Sequence, residues 1–283
     1  MPPQIAIVTE STADIPRDLA AERQIFTTPM HIFWDGEDLR DGVDIAPVEF
    51  YERLVTSRTH PTTSQPTVPE FAETFERARA ATGAVAVIVM TMSAKLSGTY
   101  NAACQAARAV DFPVHVIDTR TGSLAHGLAA LALAEARDNG ISPQEAVRLA
   151  RELADRTKMI FALNTLEYLY RSGRVSNLKR LLGAALQIKP ILHVQDGGIT
   201  LLEQVRTRHR QIERLFQIFE EVADRTKPLR VGVLHGNSFQ EMQEFVERIR
   251  SRWNPIQLVT NTVCAPVGVH TGPGSLGFAI LQV

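Results

Sequence analysis

The sequence predicts an α/β protein of two domains, the first built on a mostly parallel sheet with helices on both faces and the second on a mixed sheet with covering helices. Three observations carry this. Short apolar runs alternate with helical patterns through the first half, the rhythm of parallel strands joined by crossover helices. Gly197-Gly198, between two strand-like runs of the second half, signals a tight hairpin and therefore antiparallel pairing. At 283 residues the chain exceeds the usual size of a single core, so a division into 1–158 and 159–283 is expected, near Lys158 where a long helical stretch ends.

Element by element, Ile5–Thr9 reads as a strand and Ile25–Trp34 as one extended stretch closed by the Asp35-Gly36 turn. Thr67 and Glu70 have capping-box spacing with Pro69 in the first turn, which starts a helix running to about Ala81. Ala84–Thr91 and Val114–Asp118 are the next strands, with a helix over Thr99–Ala109 between them. Ser142 and Glu145 repeat the capping-box spacing, so the helical stretch after Thr119 splits at Asn139-Gly140 and its second part ends near Arg156. Strands follow around Met159–Leu163, Ile188–Val194, Thr200–Val205, Leu229–Leu234, Gln257–Val263 and Leu276–Leu281, with helices at Arg208–Arg225 and Phe239–Trp253 covering the second sheet.

Composition removes several functions. Thirty Lys and Arg against 31 Asp and Glu give a formal charge of −1, so no basic field draws nucleic acid. The two cysteines, Cys104 and Cys264, have neither zinc spacing nor the density of a disulfide scaffold, which fits a reducing cytoplasm. No export signal or membrane-length apolar run is visible. The eight histidines show no metal-site spacing, so neither a metal nor a cofactor is expected. His31, His115 and His193 lie in strand-like runs and read as structural.

The motifs with catalytic spelling fail on context. Gly272-Pro273-Gly274-Ser275-Leu276-Gly277 matches a dinucleotide fingerprint, but too little chain follows it for the helix and second strand that such a site needs. Ser176-Asn177-Leu178-Lys179 spells S-x-x-K without its companion motifs and reads as a helix start. More informative are three clusters of hydroxyls and loop backbone. Ser97-Gly98 opens a helix at the carboxyl end of a buried strand, where a hydroxyl and free amides suit a carboxylate, although plain capping fits equally. Thr63-Ser64-Gln65-Pro66 has the same two readings. His270 lies in a Gly/Pro-rich stretch between two strands, read as a loop that presents a side chain. Glu10-Ser11-Thr12 and Asp14 follow the first strand and are candidate neighbours of the site.

Taken together these motifs resemble the DegV family. The likeness runs in order from Ile7-Val8-Thr9-Glu10-Ser11-Thr12-Ala13-Asp14 through Thr63-Ser64-Gln65-Pro66, Leu96-Ser97-Gly98-Thr99-Tyr100, Ile117-Asp118-Thr119, Leu166-Glu167-Tyr168-Leu169, Gly173-Arg174-Val175 and Lys189-Pro190-Ile191 to His270-Thr271-Gly272-Pro273-Gly274. One departure is Glu10, where the family usually carries Asp. The resemblance implies a long-chain fatty acid bound between two domains, its carboxylate held by Thr63, Ser97, the Gly98 amide and His270. It places Arg171, Arg174 and Arg206 at the mouth or against a partner. It further implies an acyl-binding subunit without chemistry of its own, which presents the carboxylate to an ATP-binding fatty acid kinase; transient membrane contact is compatible with such a role. The competing reading is a serine hydrolase with Ser97 as nucleophile, His270 as base and Asp118 or Asp14 as orienting acid; the missing G-x-S-x-G elbow counts against it.

Overall fold

The computed structural model describes residues 4–174 and 188–282. Strand β1 (Ile5–Glu10) runs through a short turn of 3-10 helix (Ser11–Ala13) into helix α1 (Arg17–Glu22) and strand β2 (Ile25–Thr28). The extended stretch expected over Ile25–Trp34 breaks at Pro29-Met30. Proline has no N–H to offer a ladder, and the chain leaves the first sheet there. It enters a small antiparallel sheet as β3 (His31–Trp34) and β4 (Glu37–Arg40), turning on Asp35-Gly36, both at positive φ. Helix α2 (Pro47–Thr56) and strand β5 (Thr62–Ser64) follow, and β5 completes this sheet in the order β4-β3-β5. Sequence reading found neither β4 nor β5, because such short polar strands carry little periodic signal.

Helix α3 (Val68–Thr82) opens on the expected Thr67–Glu70 capping box and closes on left-handed Gly83. Strand β6 (Ala86–Thr91), helix α4 (Thr99–Ala107) and strand β7 (Val114–Asp118) finish the first sheet, whose order is β2-β1-β6-β7 with every pairing parallel. All residues of β1 and β6 are buried, as expected of strands covered on both faces. Ala6 and Val8 pack toward Phe71 and Phe75 of α3, whereas Ile5 and Ile7 face the other side.

That other side is occupied by helices α5 (Leu124–Asp138) and α6 (Pro143–Arg156), the second opening on the Ser142–Glu145 capping box. Beyond them comes the mixed sheet. Strand β8 (Thr157–Ala162) leads to helix α7 (Glu167–Arg171), strands β9 (Lys189–Gln195) and β10 (Gly198–Val205), helix α8 (Arg208–Val222), strand β11 (Leu229–Gly236), helix α9 (Phe239–Arg252), strand β12 (Gln257–Thr262), helix α10 (Ala265–Thr271) and strand β13 (Ser275–Gln282). The sheet order is β10-β9-β8-β13-β11-β12, antiparallel except for β11 with β12. The β9–β10 hairpin turns on Asp196-Gly197, one residue earlier than the Gly197-Gly198 expectation, since Gly198 already pairs with Gln195. The S-x-x-K stretch at Ser176–Lys179 lies outside the described residues.

The mixed sheet has two apolar faces. Ile160, Val231, Val233 and Phe278 meet Phe216, Phe219 and Phe245 under α8 and α9, while Met159, Phe161, Leu234 and Ala279 face α5. Helix α5 is therefore clasped by both sheets, and every residue from Leu124 to Ala134 is buried. Its small residues permit this approach. A Cβ on Gly127 would stand 2.3 Å from the Ala13 carbonyl oxygen, and one on Gly232 of β11 would stand 2.5 Å from the Leu124 side chain.

Gly127→Ala should therefore destabilise the protein by about 1–3 kcal/mol, although alanine is the better helix former by about 1 kcal/mol. Urea unfolding of both proteins reads the difference, and an equal or higher midpoint for the variant would contradict the close packing assigned to α5.

Candidate functional site

A cavity of about 990 Å³, open space at its mouth included, lies between the parallel and mixed sheets. One wall comes from the carboxyl ends of β1, β6 and β7, through Thr12, Met92 and Ser123, where open α/β sheets commonly bind ligands. The facing wall is apolar and built from the mixed sheet, by Met159, Phe161, Val194, Ile199 and Leu234. Thr63, Ser97, Gly98 and His270, the residues expected to hold a carboxylate, all line this one cavity.

Thr63 reaches it on β5, its hydroxyl 3.1 Å from His270 Nε2. His270 does not stand on a loop. It occupies the last turn of α10, a helix begun by Pro266 near its N-terminus and ended at Gly272 with φ of +70°. The Gly/Pro-rich spelling hid a helix because Pro is well accommodated in a first turn and Gly just beyond the last. Two carboxylates from distant segments cap that helix: Asp14 accepts the Cys264 N–H at 2.8 Å and Asp41 the Ala265 N–H at 3.3 Å. Both are buried. Burial pushes Asp14 up to about 6 against the bonds from Ser123 and Cys264, and burial with the nearby Asp14 charge pushes Asp41 up to about 7. Asp14 is thus a structural neighbour of the site, engaged by Ser123 and α10.

His270 Nδ1 is buried without a partner. Burial, then the Arg174 guanidinium and His60, depress the imidazole to about 3, so the ring is neutral at ordinary pH. A neutral ring bonded to a hydroxyl serves as an orienting hydrogen-bond group more readily than as a fixed positive charge.

Ser97 is not the N-cap residue of α4, a position that Gly98 holds. Its hydroxyl, one residue earlier, meets Thr99 Oγ1 at 2.8 Å and accepts the first N–H of the helix, that of Thr99, at 3.3 Å. Gly98 carries no side chain where the Gln65 amide approaches, 3.2 Å from a built Cβ. The hydrolase arrangement is not present. His270 bonds Thr63 and not Ser97, Asp118 accepts the Ala94 and Arg120 N–H groups, and Asp14 is committed to Ser123 and Cys264.

Of the three arginines, only Arg174 lines the cavity; it is half-buried, and burial lowers its ordinary value. Arg171 is exposed at the end of α7 and pairs with Glu167, while exposed Arg206 sits between β10 and α8. Sequence reading overlooked Ser123 and Ser275, both buried and both lining the cavity. Ser123 is held at φ 55° and ψ −151°, a conformation nearly confined to glycine that no sequence signal announces. Ser275 sat inside the rejected dinucleotide pattern. Among the described residues no cluster of potential metal ligands occurs, and no helix is long and apolar enough to cross a membrane.

Residues 4–283 match the profile described as "Uncharacterised protein, DegV family". The chain belongs to the DegV family. Among its DegV relatives is a fatty acid-binding protein of Thermotoga maritima, 31% identical over 283 residues that span 98% of this chain and 97% of the relative. A fatty-acid-binding DegV family protein from Thermus thermophilus superposes with a TM-score of 0.91 at 29% identity, covering 99% of this chain and all of its own. DegV of Bacillus subtilis, described as a fatty acid-binding protein, gives 0.90 at 31% identity over 99% and 100% of the two chains. The neighbours confirm the two-domain α/β architecture expected from the sequence.

The depressed His270 sets a pH dependence. The unfolded chain takes up a proton near the ordinary value of 6.5 while the folded ring stays neutral down to about 3, so this group's contribution to stability is present above about pH 6.5 and is lost as pH falls toward about 3. Asp14 and Asp41, raised by burial, act in the opposite sense and cancel when a parent is compared with a variant that keeps them. His270→Gln should therefore lose less stability than the parent between about pH 7 and about pH 5. Denaturant midpoints at both pH values measure this, and identical losses would show that His270 is not held neutral.

Proposed function

We propose that this chain binds one long-chain fatty acid in the cavity between its two sheets and presents the carboxylate to an ATP-binding kinase partner. The observation that carries the reading is a largely apolar cavity in which Thr63, Ser97, Gly98 and His270 are gathered from distant segments. Its fatty-acid-binding relatives across nearly the whole chain support it.

The energetics fit a ligand held mainly by its tail. Each methylene moved from water into an apolar cavity contributes about 0.8 kcal/mol, so a tail of about sixteen carbons supplies on the order of 10 kcal/mol before ordering costs. The head group then needs orientation more than attraction. Hydroxyls, the Gly98 amide and a neutral imidazole supply donors without the bidentate grip of a guanidinium pair. A carboxylate oxygen left accessible attacks the terminal phosphorus of ATP, ADP departs, and an acyl phosphate results. Arg174, at the cavity, and Arg171 and Arg206, outside it, are the cations assigned to the mouth and the partner; in this reading the chain itself performs no chemistry.

Mild denaturing extraction of the purified protein should release a fatty acid in about equimolar amount, and adding it back to stripped protein should raise the melting temperature. No extracted lipid together with no thermal shift would remove the reading. A fluorophosphonate should leave the protein mass unchanged; stoichiometric labelling abolished in Ser97→Ala would restore the hydrolase.

His270→Ala should fold and retain lipid, yet slow acyl phosphate formation with a cognate kinase by roughly ten- to a hundred-fold, the effect of losing about 1–3 kcal/mol at the reacting group. His270→Gln should recover part of the rate. Transfer at the parental rate in His270→Ala would take this residue away from the head group.

A further inference from the structure

One part of the cavity wall is held differently from the rest. Phe161 stands on β8 and Leu234 on β11, strands with a neighbour on each side in the mixed sheet. Val194 and Ile199 stand instead near the tip of the β9–β10 hairpin, opposite each other in register and at the edge of that sheet. Strand β9 pairs with β8 through Ile191, Leu192 and His193 only. Past His193, among the described residues, β9 and β10 pair with each other alone, and a two-stranded ribbon is marginally stable by itself.

The tip is fastened across the cavity to the opposite sheet. Ser93, fully buried in the loop after β6, donates its hydroxyl to the Gly197 carbonyl at 2.7 Å. The same oxygen accepts the Lys95 N–H at 3.2 Å, which aims the hydroxyl proton at the hairpin. Among the described residues no other hydrogen bond joins residues 194–199 to the loops of the parallel sheet. Gln195 and Asp196 of the turn are exposed, yet Gly197 is buried. Its φ is +79°, and a Cβ there would stand 2.6 Å from Ser93 Oγ, so the turn is seated directly on this hydroxyl. The Ser93 carbonyl in turn accepts the Ser97 N–H at 3.2 Å, which places the fastening and a head-group residue in one loop.

We propose that the β9–β10 tip is a gate through which the acyl tail enters and leaves the cavity, with the Ser93–Gly197 hydrogen bond as its latch. Lifting the tip breaks that bond and withdraws Val194 and Ile199, whereas opening the wall at β8 or β11 would tear ladders on both sides, so the tip is the wall's least stable unit. This rests on the fatty-acid reading above. A latch that is closed with and without ligand slows uptake and release alike. It leaves the affinity nearly unchanged, because the seated ligand makes the same contacts whether the latch is present or not.

Stopped-flow fluorescence on delipidated full-length protein reads both rates, with cis-parinaric acid, an intrinsically fluorescent long-chain fatty acid, as the probe and excess palmitic acid as the chase. Ser93 does not line the cavity. Ser93→Ala should raise uptake and release together by about three- to ten-fold, the range that one lost hydrogen bond supports, and keep Kd within about two-fold of the parent. A variant carrying Ser93→Cys and Gly197→Cys, oxidised to a disulfide across the latch, should slow both rates by about ten-fold or more, and dithiothreitol should restore them. This comparison within one protein decides the matter even where Ser93→Ala fails to fold. Faster release in Ser93→Ala with uptake at the parental rate would overturn the gate, leaving Ser93 as the support of a fixed wall. Equal rates for the oxidised and reduced double variant would overturn it as well, since the tail would then pass through another opening. A parent that takes up no cis-parinaric acid would fail the fatty-acid reading itself, and this inference with it.

Discussion

Helix α5 buries both of its long faces, one against the parallel sheet and one against the mixed sheet, and this double burial constrains how the rest of the chain can be arranged. A helix that is apolar all round cannot end a layer, because whichever face was left outward would expose Leu and Ala to water. The two sheets must therefore close on it together with α6. Small residues set the spacing: Gly127 lets the turn after β1 reach the helix backbone, and Gly232 lets β11 reach Leu124. The cavity occupies the remaining space toward the strand ends, where Ser123 at the start of α5 is one of its lining residues.

Polar groups buried at that end are placed to fix geometry. Glu10, fully buried, accepts the Met92 N–H at 2.9 Å and the Thr12 hydroxyl at 2.7 Å, and lies 3.4 Å from His126 of α5. Burial pushes its carboxyl up, but His126 and the bonds from Thr12 and Met92 outweigh this and hold it below its ordinary value. The buried Glu10 carboxylate therefore ties the end of β1 to the residue after β6 and to the central helix. Thr12 and Met92 also line the cavity, so a buried charge outside the lining helps to set its wall.

How much of this was legible follows from where the signals arise. Strongly periodic elements such as α3, α6, α8 and α9 announce themselves through caps and apolar spacing, and the parallel sheet through its fully apolar strands. The small sheet β4-β3-β5 did not, since its short edge strands are largely polar and their pairing depends on contacts distant in sequence. His270 was picked out as a candidate and does line the cavity, while its helix was read as a loop: the glycines and prolines that suggest a loop also begin and end a short helix. The gathering of Thr63, Ser97, Gly98 and His270 was implied by motif resemblance and not by spacing, because nothing local relates Thr63 to a residue 207 positions away. Ser123 could not be found at all, as its importance lies in a backbone conformation.

The capping of α10 by Asp14 and Asp41 carries a consequence for the chain as a whole. The helix bearing His270 belongs by sequence to the second half, yet its start is fastened by two carboxylates of the first half and its histidine meets Thr63 of the first half as well. Neither half therefore fixes the position of this imidazole by itself. A shuffled chain that joined the first half of one relative to the second half of another would hold the imidazole in place only where the aspartates of the one matched the helix of the other.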